Sequence, residues 1–193
     1  MVNPVFYANR ESWLEGAVVE LRPWFADIGA KIPDQVRVAC GWSKRSGKGA
    51  IGWCWHTEAS DDQSNEIQIS PELADPIRVL ATLAHELIHA SDNGESKHTG
   101  YFRKTALALG LKGPMTATTA GDDLIVRLRD LHVKLGNYPH AALKPQLQMG
   151  KQSTRMLKGF CVDDGYTIRL SRKWADVGLP DCPVCGIILE LIE

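Results

Sequence analysis

The sequence predicts an α+β protein: one small sheet accompanied by three to four helices, then a short C-terminal β segment held by cysteines. Three observations carry this. Apolar residues recur at three- and four-residue steps in several separate stretches, the period of an amphipathic helix. Between the first two such stretches lie short β-branched and aromatic runs bounded by Gly, Ser, Lys and Asp. Cys161, Cys182 and Cys185 fall near the end of the chain, in a segment too short to hold a core of its own without a staple.

Taken in order, Trp13, Leu14, Val18, Leu21 and Phe25 define a first helix that starts near Asn9 and stops before Asp27-Ile28-Gly29. Val36–Cys40, Ala50–Trp55 and Glu66–Ile69 read as three strands, expected to pair as an antiparallel meander. Asp75-Pro76 supplies an N-cap followed by proline at the first helical position. The pattern Ile77, Leu80, Ala81, Ala84, Leu87, Ile88 then runs to Ala90, and Asn93-Gly94 ends it. Further helices are expected over Tyr101–Leu109 and Asp122–Leu135, stopped by Gly110 and Gly136. Residues 137–158 contain Pro139, Pro145 and Gly150 without periodicity, a linker composition. The expected division is therefore a main domain over 1–136, a linker over 137–158 and the cysteine segment over 159–193.

A chain of 193 residues can bury one main core plus an appendage. Its 22 Lys and Arg against 23 Asp and Glu exclude a surface that is basic throughout, as a dedicated nucleic-acid binder would have. No run reaches the roughly 18 consecutive apolar residues of a membrane span. The longest, Val79–Ala90, is interrupted by His85, Glu86 and His89. The first residues lack the basic-then-apolar order of a secretory signal, so the expected compartment is a cytoplasm, where thiols stay reduced. Five unevenly spaced cysteines fit metal ligation or buried thiols better than a disulfide framework, and Cys40 and Cys54 read as small core residues.

The chemistry is concentrated in His85-Glu86-Leu87-Ile88-His89, inside a segment read as helical on independent grounds. Residues four apart on a helix face the same way, so both imidazoles can converge on one ion, with Glu86 able to reach water beside it. A catalytic zinc usually takes three protein ligands and keeps one position open, so a third ligand is required. His98, nine residues past His89 in a polar loop, is the favoured candidate, and Glu95 is the competitor. Zinc acidifies water and polarises a carbonyl, and Glu86 as general base would complete a peptide-bond hydrolysis. The strand Glu66–Ile69 just upstream is a candidate edge for an extended substrate. Residues 49–76 hold six carboxylates and no Lys or Arg, which points to a basic polypeptide. His56, His132 and His140 have no partner at ligand spacing and read as packed or solvated.

Ile69-Ser70-Pro71-Glu72-Leu73, Val79 to Ala90 with its HExxH, and His98 followed by Phe102 resemble the SprT-like (Spartan-type) zinc metallopeptidases, particularly the short bacterial and phage forms. The resemblance covers about residues 36–110 plus the C-terminal cysteine segment. It implies a small zincin-like domain with His85, His89 and His98 as zinc ligands and Glu86 as catalytic acid and base. It also implies protein substrates, in the eukaryotic branch proteins bound to DNA. The loop from His89 to His98 is shorter than in many relatives, and Tyr101 and Arg103, near it in sequence, read as solvated helix-surface residues.

Cys182-Pro183-Val184-Cys185-Gly186 has the spacing of a zinc knuckle. Upstream, Cys161 is followed three residues on by Asp164, where a fourth cysteine would stand. The resemblance makes this a zinc-ribbon-like segment with one ligand replaced. A second, structural zinc on Cys161, Asp164, Cys182 and Cys185 is one outcome, and a ribbon that packs without metal is the other. Seven Lys or Arg between residues 140 and 175 face only Asp163 and Asp164, so Lys158, Arg169, Arg172 and Lys173, with Trp174 as a stacking platform, are candidate nucleic-acid contacts. The turn Lys44–Lys48 beside Trp42 and Trp53 is a second candidate.

The sequence thus leads to a zinc metalloendopeptidase of SprT-like type, a monomer by default, acting on polypeptides and in one version on DNA-associated ones. The alternative is a non-enzymatic zinc-binding nucleic-acid module with a vestigial HExxH. Glu86 separates the two, because a purely structural site has no use for a carboxylate beside the ion.

Overall fold

The computed structural model describes residues 7–42, 50–147 and 156–192. Two compact units divide the chain, Met1–Lys144 and Pro145–Glu193, and both are mixtures of helix and strand. The turn Lys44–Lys48, Lys151 and Arg155 lie outside the described residues.

In the first unit, helix α1 (Arg10–Asp27) opens on a capping box. The Asn9 side chain accepts from the Ser12 N–H at 2.8 Å, and the Ser12 hydroxyl accepts from the Asn9 N–H. Trp13, Leu14, Ala17, Val18, Leu21 and Phe25 form its buried face, the stripe that the spacing predicts. Strands β1 (Val36–Cys40), β2 (Gly52–Trp55) and β3 (Asn65–Ile69) follow.

Their pairing corrects the expected meander. The sheet order is β1-β3-β2, with β1 parallel to β3 and β2 antiparallel to it. Strand β3 is therefore the middle strand and β2 an edge. Ile67 and Ile69 are fully buried, whereas no residue of β2 is. Short apolar runs mark strands, but which strand takes the centre depends on which residues the helices cover. Helix α1 packs on β1, and the next helix packs on β2 and β3.

That helix, α2 (Pro76–Ser91), is capped by the Asp75 carboxylate, which accepts from the Arg78 N–H at 2.7 Å, with Pro76 in its first turn. It is buried nearly all round, through Val79, Leu80, Leu83, Leu87 and Ile88 among others. Helix α3 (Gly100–Leu109) ends at Gly110, whose φ of +97° suits a residue without Cβ. A two-residue hairpin, β4 (Leu111–Lys112) with β5 (Thr119–Ala120), leads into α4 (Asp122–Leu135), which buries Leu124, Leu128, Leu131 and Leu135.

The chain after α4 stays with the first unit as far as Lys144. The Trp13 indole N–H donates to the Gly136 carbonyl at 3.0 Å, and the Leu143 N–H donates to the Pro71 carbonyl at 2.8 Å. His140 Nε2 also meets that carbonyl at 2.8 Å. Residues 137–144, expected in a linker, are thus held by hydrogen bonds that link positions far apart in sequence.

In the second unit, β6 (Leu157–Phe160) pairs antiparallel with β7 (Thr167–Leu170) and with β8 (Glu190–Ile192), and a single turn α5 (Arg172–Ala175) follows β7. Strand β6 begins inside the segment expected as linker. Among the described residues, the buried apolar set here is Cys161, Cys182 and Leu189.

Candidate metal centre and cleft

Helix α2 carries His85 and His89 one turn apart, with ring centroids 5.2 Å from each other. The third imidazole arrives by a loop folded back on itself through three tight turns. The Asp92 carboxylate accepts from the Gly94 and Ser96 N–H groups at 3.0 and 3.1 Å. Asn93, Gly94 and Lys97 take positive φ, and the Gly94 N–H donates to the His89 carbonyl at 2.8 Å. Ser96 Oγ then accepts from the Phe102 N–H at 3.1 Å, fixing the start of α3. This reversal is how nine residues bring His98 back.

The ligand nitrogens of His85, His89 and His98 lie within 4.8 Å of one another. His89 Nε2 and His98 Nε2 are 3.2 Å apart. Two nitrogens each about 2.0–2.1 Å from a tetrahedral ion are about 3.4 Å apart, so this edge fits zinc. Phe102, fully buried, closes the back of the site with its ring 4.8, 4.5 and 5.0 Å from those of His85, His89 and His98. Glu95, the competing ligand, lines a different hollow with Asp92 and Asn93.

Burial keeps these rings neutral, the form that ligates a metal. Desolvation, then repulsion from the other two imidazoles, pushes His85 down to about 3. Burial and then His98 bring His89 to about 4, and burial also lowers His98. Glu86, on the face of α2 toward the sheet, is driven up to about 8 by desolvation alone. Such a carboxyl is poised to exchange a proton near neutral pH.

The three imidazoles and Glu86 lie in one cleft of about 860 Å³. One wall is the stretch Ala50–Cys54, which includes Gly52, Trp53 and Cys54 of β2. The other is Thr116–Ala120, and the floor is α2 with Ile77, Ala81 and Thr82. Since β3 is paired on both sides, the edge available beside the site is β2 rather than the expected Glu66–Ile69. Gly52 makes room there, because a Cβ at this position would collide with Glu86 Oε1 and lie 2.7 Å from Thr82 Cγ2.

The acidity of residues 49–76 is largely spent elsewhere. Asp62 and Glu66 pair with Arg37, Glu58 accepts from Asn93, and Glu72 accepts from the Trp42 indole. Asp75 alone of the six lines the cleft, together with the cations Arg78 and Lys97.

Gly52, His56 and Thr118 have places in the cleft that the sequence reading does not give them. Gly52 carries no signal beyond being a glycine in a strand. His56 lines the cleft, with Nδ1 on the Asn93 carbonyl. Thr118 Oγ1 lies 2.8 Å from His85 Nδ1, a contact across 33 positions that no local pattern encodes. Tyr101 turns its hydroxyl to Ser91 Oγ at 3.2 Å. Cys40 and Cys54 are half-buried in β1 and β2, and Cys54 packs against the core.

In the second unit, Cys161, Asp164, Cys182 and Cys185 bring their ligand atoms within 4.8 Å of one another. Two like turns present them. The Gly165 N–H returns to the Cys161 carbonyl at 3.0 Å and the Gly186 N–H to the Cys182 carbonyl at 2.8 Å, with both glycines near φ +80°. Cys161 Sγ lies 3.3 Å from Cys185 Sγ, and the Cys182 thiol donates to Asp164 Oδ2 at 3.1 Å. The Tyr166 N–H, followed by the Cys182 and Cys185 thiols, holds Asp164 at about 2, so it is ionised as a ligand must be. Lys158 and Arg169 are register partners across β6 and β7. Trp174 on α5 is exposed, with Lys173 Nζ 5.2 Å from its ring centroid.

No family model, curated protein or solved structure matches this chain.

Proposed function

We propose that this protein is a zinc-dependent endopeptidase of SprT-like type. The observation that carries the reading is the convergence of three neutral imidazoles, one of them from a separate loop, beside a buried glutamate in an open cleft. A zinc ion held there would act as a Lewis acid toward a peptide carbonyl and toward water. His85, His89 and His98 are the residues that would hold such an ion.

The chain's own groups do the rest. An extended polypeptide aligned along the free edge of β2 would form main-chain hydrogen bonds with residues 52–55, bringing one carbonyl over the histidines. Glu86 takes the proton from the attacking water and delivers it to the leaving amide nitrogen, a shuttle suited to a carboxyl held near neutrality by burial. Phe102 keeps solvent from the rear of the ligand set. The Cys3Asp cluster of the second unit would hold a structural zinc in a ribbon-like segment. Lys158, Arg169, Arg172, Lys173 and Trp174 would let that segment touch nucleic acid near a DNA-associated substrate.

The test is hydrolysis of an unfolded protein by the zinc-loaded chain and its Glu86→Gln variant, with metal content measured in both. The variant should lose at least about a hundredfold in rate while keeping its zinc. Equal rates would eliminate Glu86 as the base, and a wild-type chain that binds zinc but cleaves nothing would favour the non-enzymatic module.

A further inference from the structure

We propose that Thr118 is a positioning residue for the His85 ligand, fixing which ring nitrogen is offered to the metal; this rests on the metal site argued above. An imidazole can ligate through one nitrogen only if that nitrogen carries no proton, and the hydrogen bond made by the other nitrogen decides where the proton resides. Thr118 Oγ1 stands 2.8 Å from His85 Nδ1. A hydroxyl there accepts from Nδ1–H, leaving the Nε2 lone pair for the ion. The opposite polarity, with the hydroxyl donating, would leave the proton on Nε2 and disable the ligand.

The hydroxyl is held in place from both sides. Before it, the turn Met115–Ala117 closes through the Ala117 N–H on the Pro114 carbonyl at 2.8 Å, and Met115 packs on the core. After it, β5 pairs with β4, and the Gly121 N–H donates to the Gly110 carbonyl at 2.8 Å. The His85 ring is confined on another side by Phe102. Donor and acceptor therefore meet without either searching for the other, which is the condition under which an outer hydrogen bond strengthens a ligand. Thr118 also belongs to the cleft wall facing β2, so the same bond ties that wall to the ligand set.

The experiment compares zinc affinity, by chelator competition, in the wild-type chain, Thr118→Val and Thr118→Ser. It also locates the His85 ring proton in the zinc-loaded wild type by long-range nitrogen NMR. Thr118→Val, which keeps the shape and removes the hydroxyl, should weaken zinc binding about ten- to a hundredfold, and Thr118→Ser should restore most of it. His85 should carry its proton on Nδ1. Wild-type affinity in Thr118→Val, or a proton on Nε2 in the wild type, overturns the assignment while leaving the metal site standing. A wild-type chain that binds no zinc removes the metal reading and this one with it. The wild-type NMR measurement decides the matter even should the valine variant fail to fold.

Discussion

Glu86 shows how one side chain links stability to chemistry. Its carboxyl has an ordinary value of 4.5 when solvated and is pushed up to about 8 in the fold, because burial opposes its charge. Between those values the folded state keeps a proton that the unfolded state has released, so this group makes stability fall as pH rises from about 4.5 to about 8. Below and above that window it has no effect on the slope. At about 1.4 kcal/mol per unit, the loss is of the order of a few kcal/mol. His85 and His89, held neutral by burial, act in the opposite sense below their ordinary 6.5, so the Glu86 contribution is read as the difference between wild type and Glu86→Gln. In chelator, the variant is expected to be the more stable at about pH 8 and nearly equal at about pH 4.5 in denaturant unfolding. Identical pH profiles would mean that the carboxyl is not desolvated. Added zinc should flatten the wild-type slope, since a dication beside Glu86 favours its ionised form.

Among the elements, the loop between α2 and α3 decides whether the two histidines of one helix are joined by a third. Asn93 is its anchor. The side-chain oxygen accepts from the Thr57 N–H at 2.9 Å and from Asn65 Nδ2 at 3.1 Å, and its amide donates to Glu58 and Thr57. Its φ of +51° belongs to the left-handed region, which asparagine tolerates better than most residues. Asn93→Ala should cost about 1–3 kcal/mol and weaken zinc binding through His98. Asn93→Gly relieves the backbone but not the lost hydrogen bonds, so recovery by glycine in denaturant titrations would assign the effect to φ, and no recovery to the amide. An alanine variant with wild-type stability and affinity would show that the loop holds without this anchor. The helices were legible because Asn9, Asp75, Gly110 and Gly136 punctuate them and their periodicity is local. Strand order was not, since β1, β2 and β3 are each compatible with an edge or a centre until α1 and α2 are docked on them.

For the whole molecule, the two units differ in what holds them together. The first buries a continuous apolar core from Trp13 to Tyr138. Among its described residues the second buries Cys161, Cys182 and Leu189, with Ile168 and Ile187 packed against them, a small core for three strands. A metal on the Cys3Asp cluster would supply further stabilisation. Cys182→Ser is therefore expected to abolish one of two bound zinc ions and to raise amide exchange across β6, β7 and β8. Loss of that zinc with unchanged protection would show that the segment stands on packing alone, and full zinc content would show that Cys182 is not a ligand. The sequence by itself determined the α+β character, the caps, the placement of HExxH on a helix and the spacing of both turns in the cysteine segment, because each depends on residues within a few positions of one another. Tertiary structure alone decided that β2 is the edge beside the cleft, that Gly52 vacates space for Glu86, that Thr118 meets His85 and that His98 rather than Glu95 joins the histidines. Those are distances between residues remote along the chain, which local periodicity does not contain and which only the packing of helices on the sheet creates.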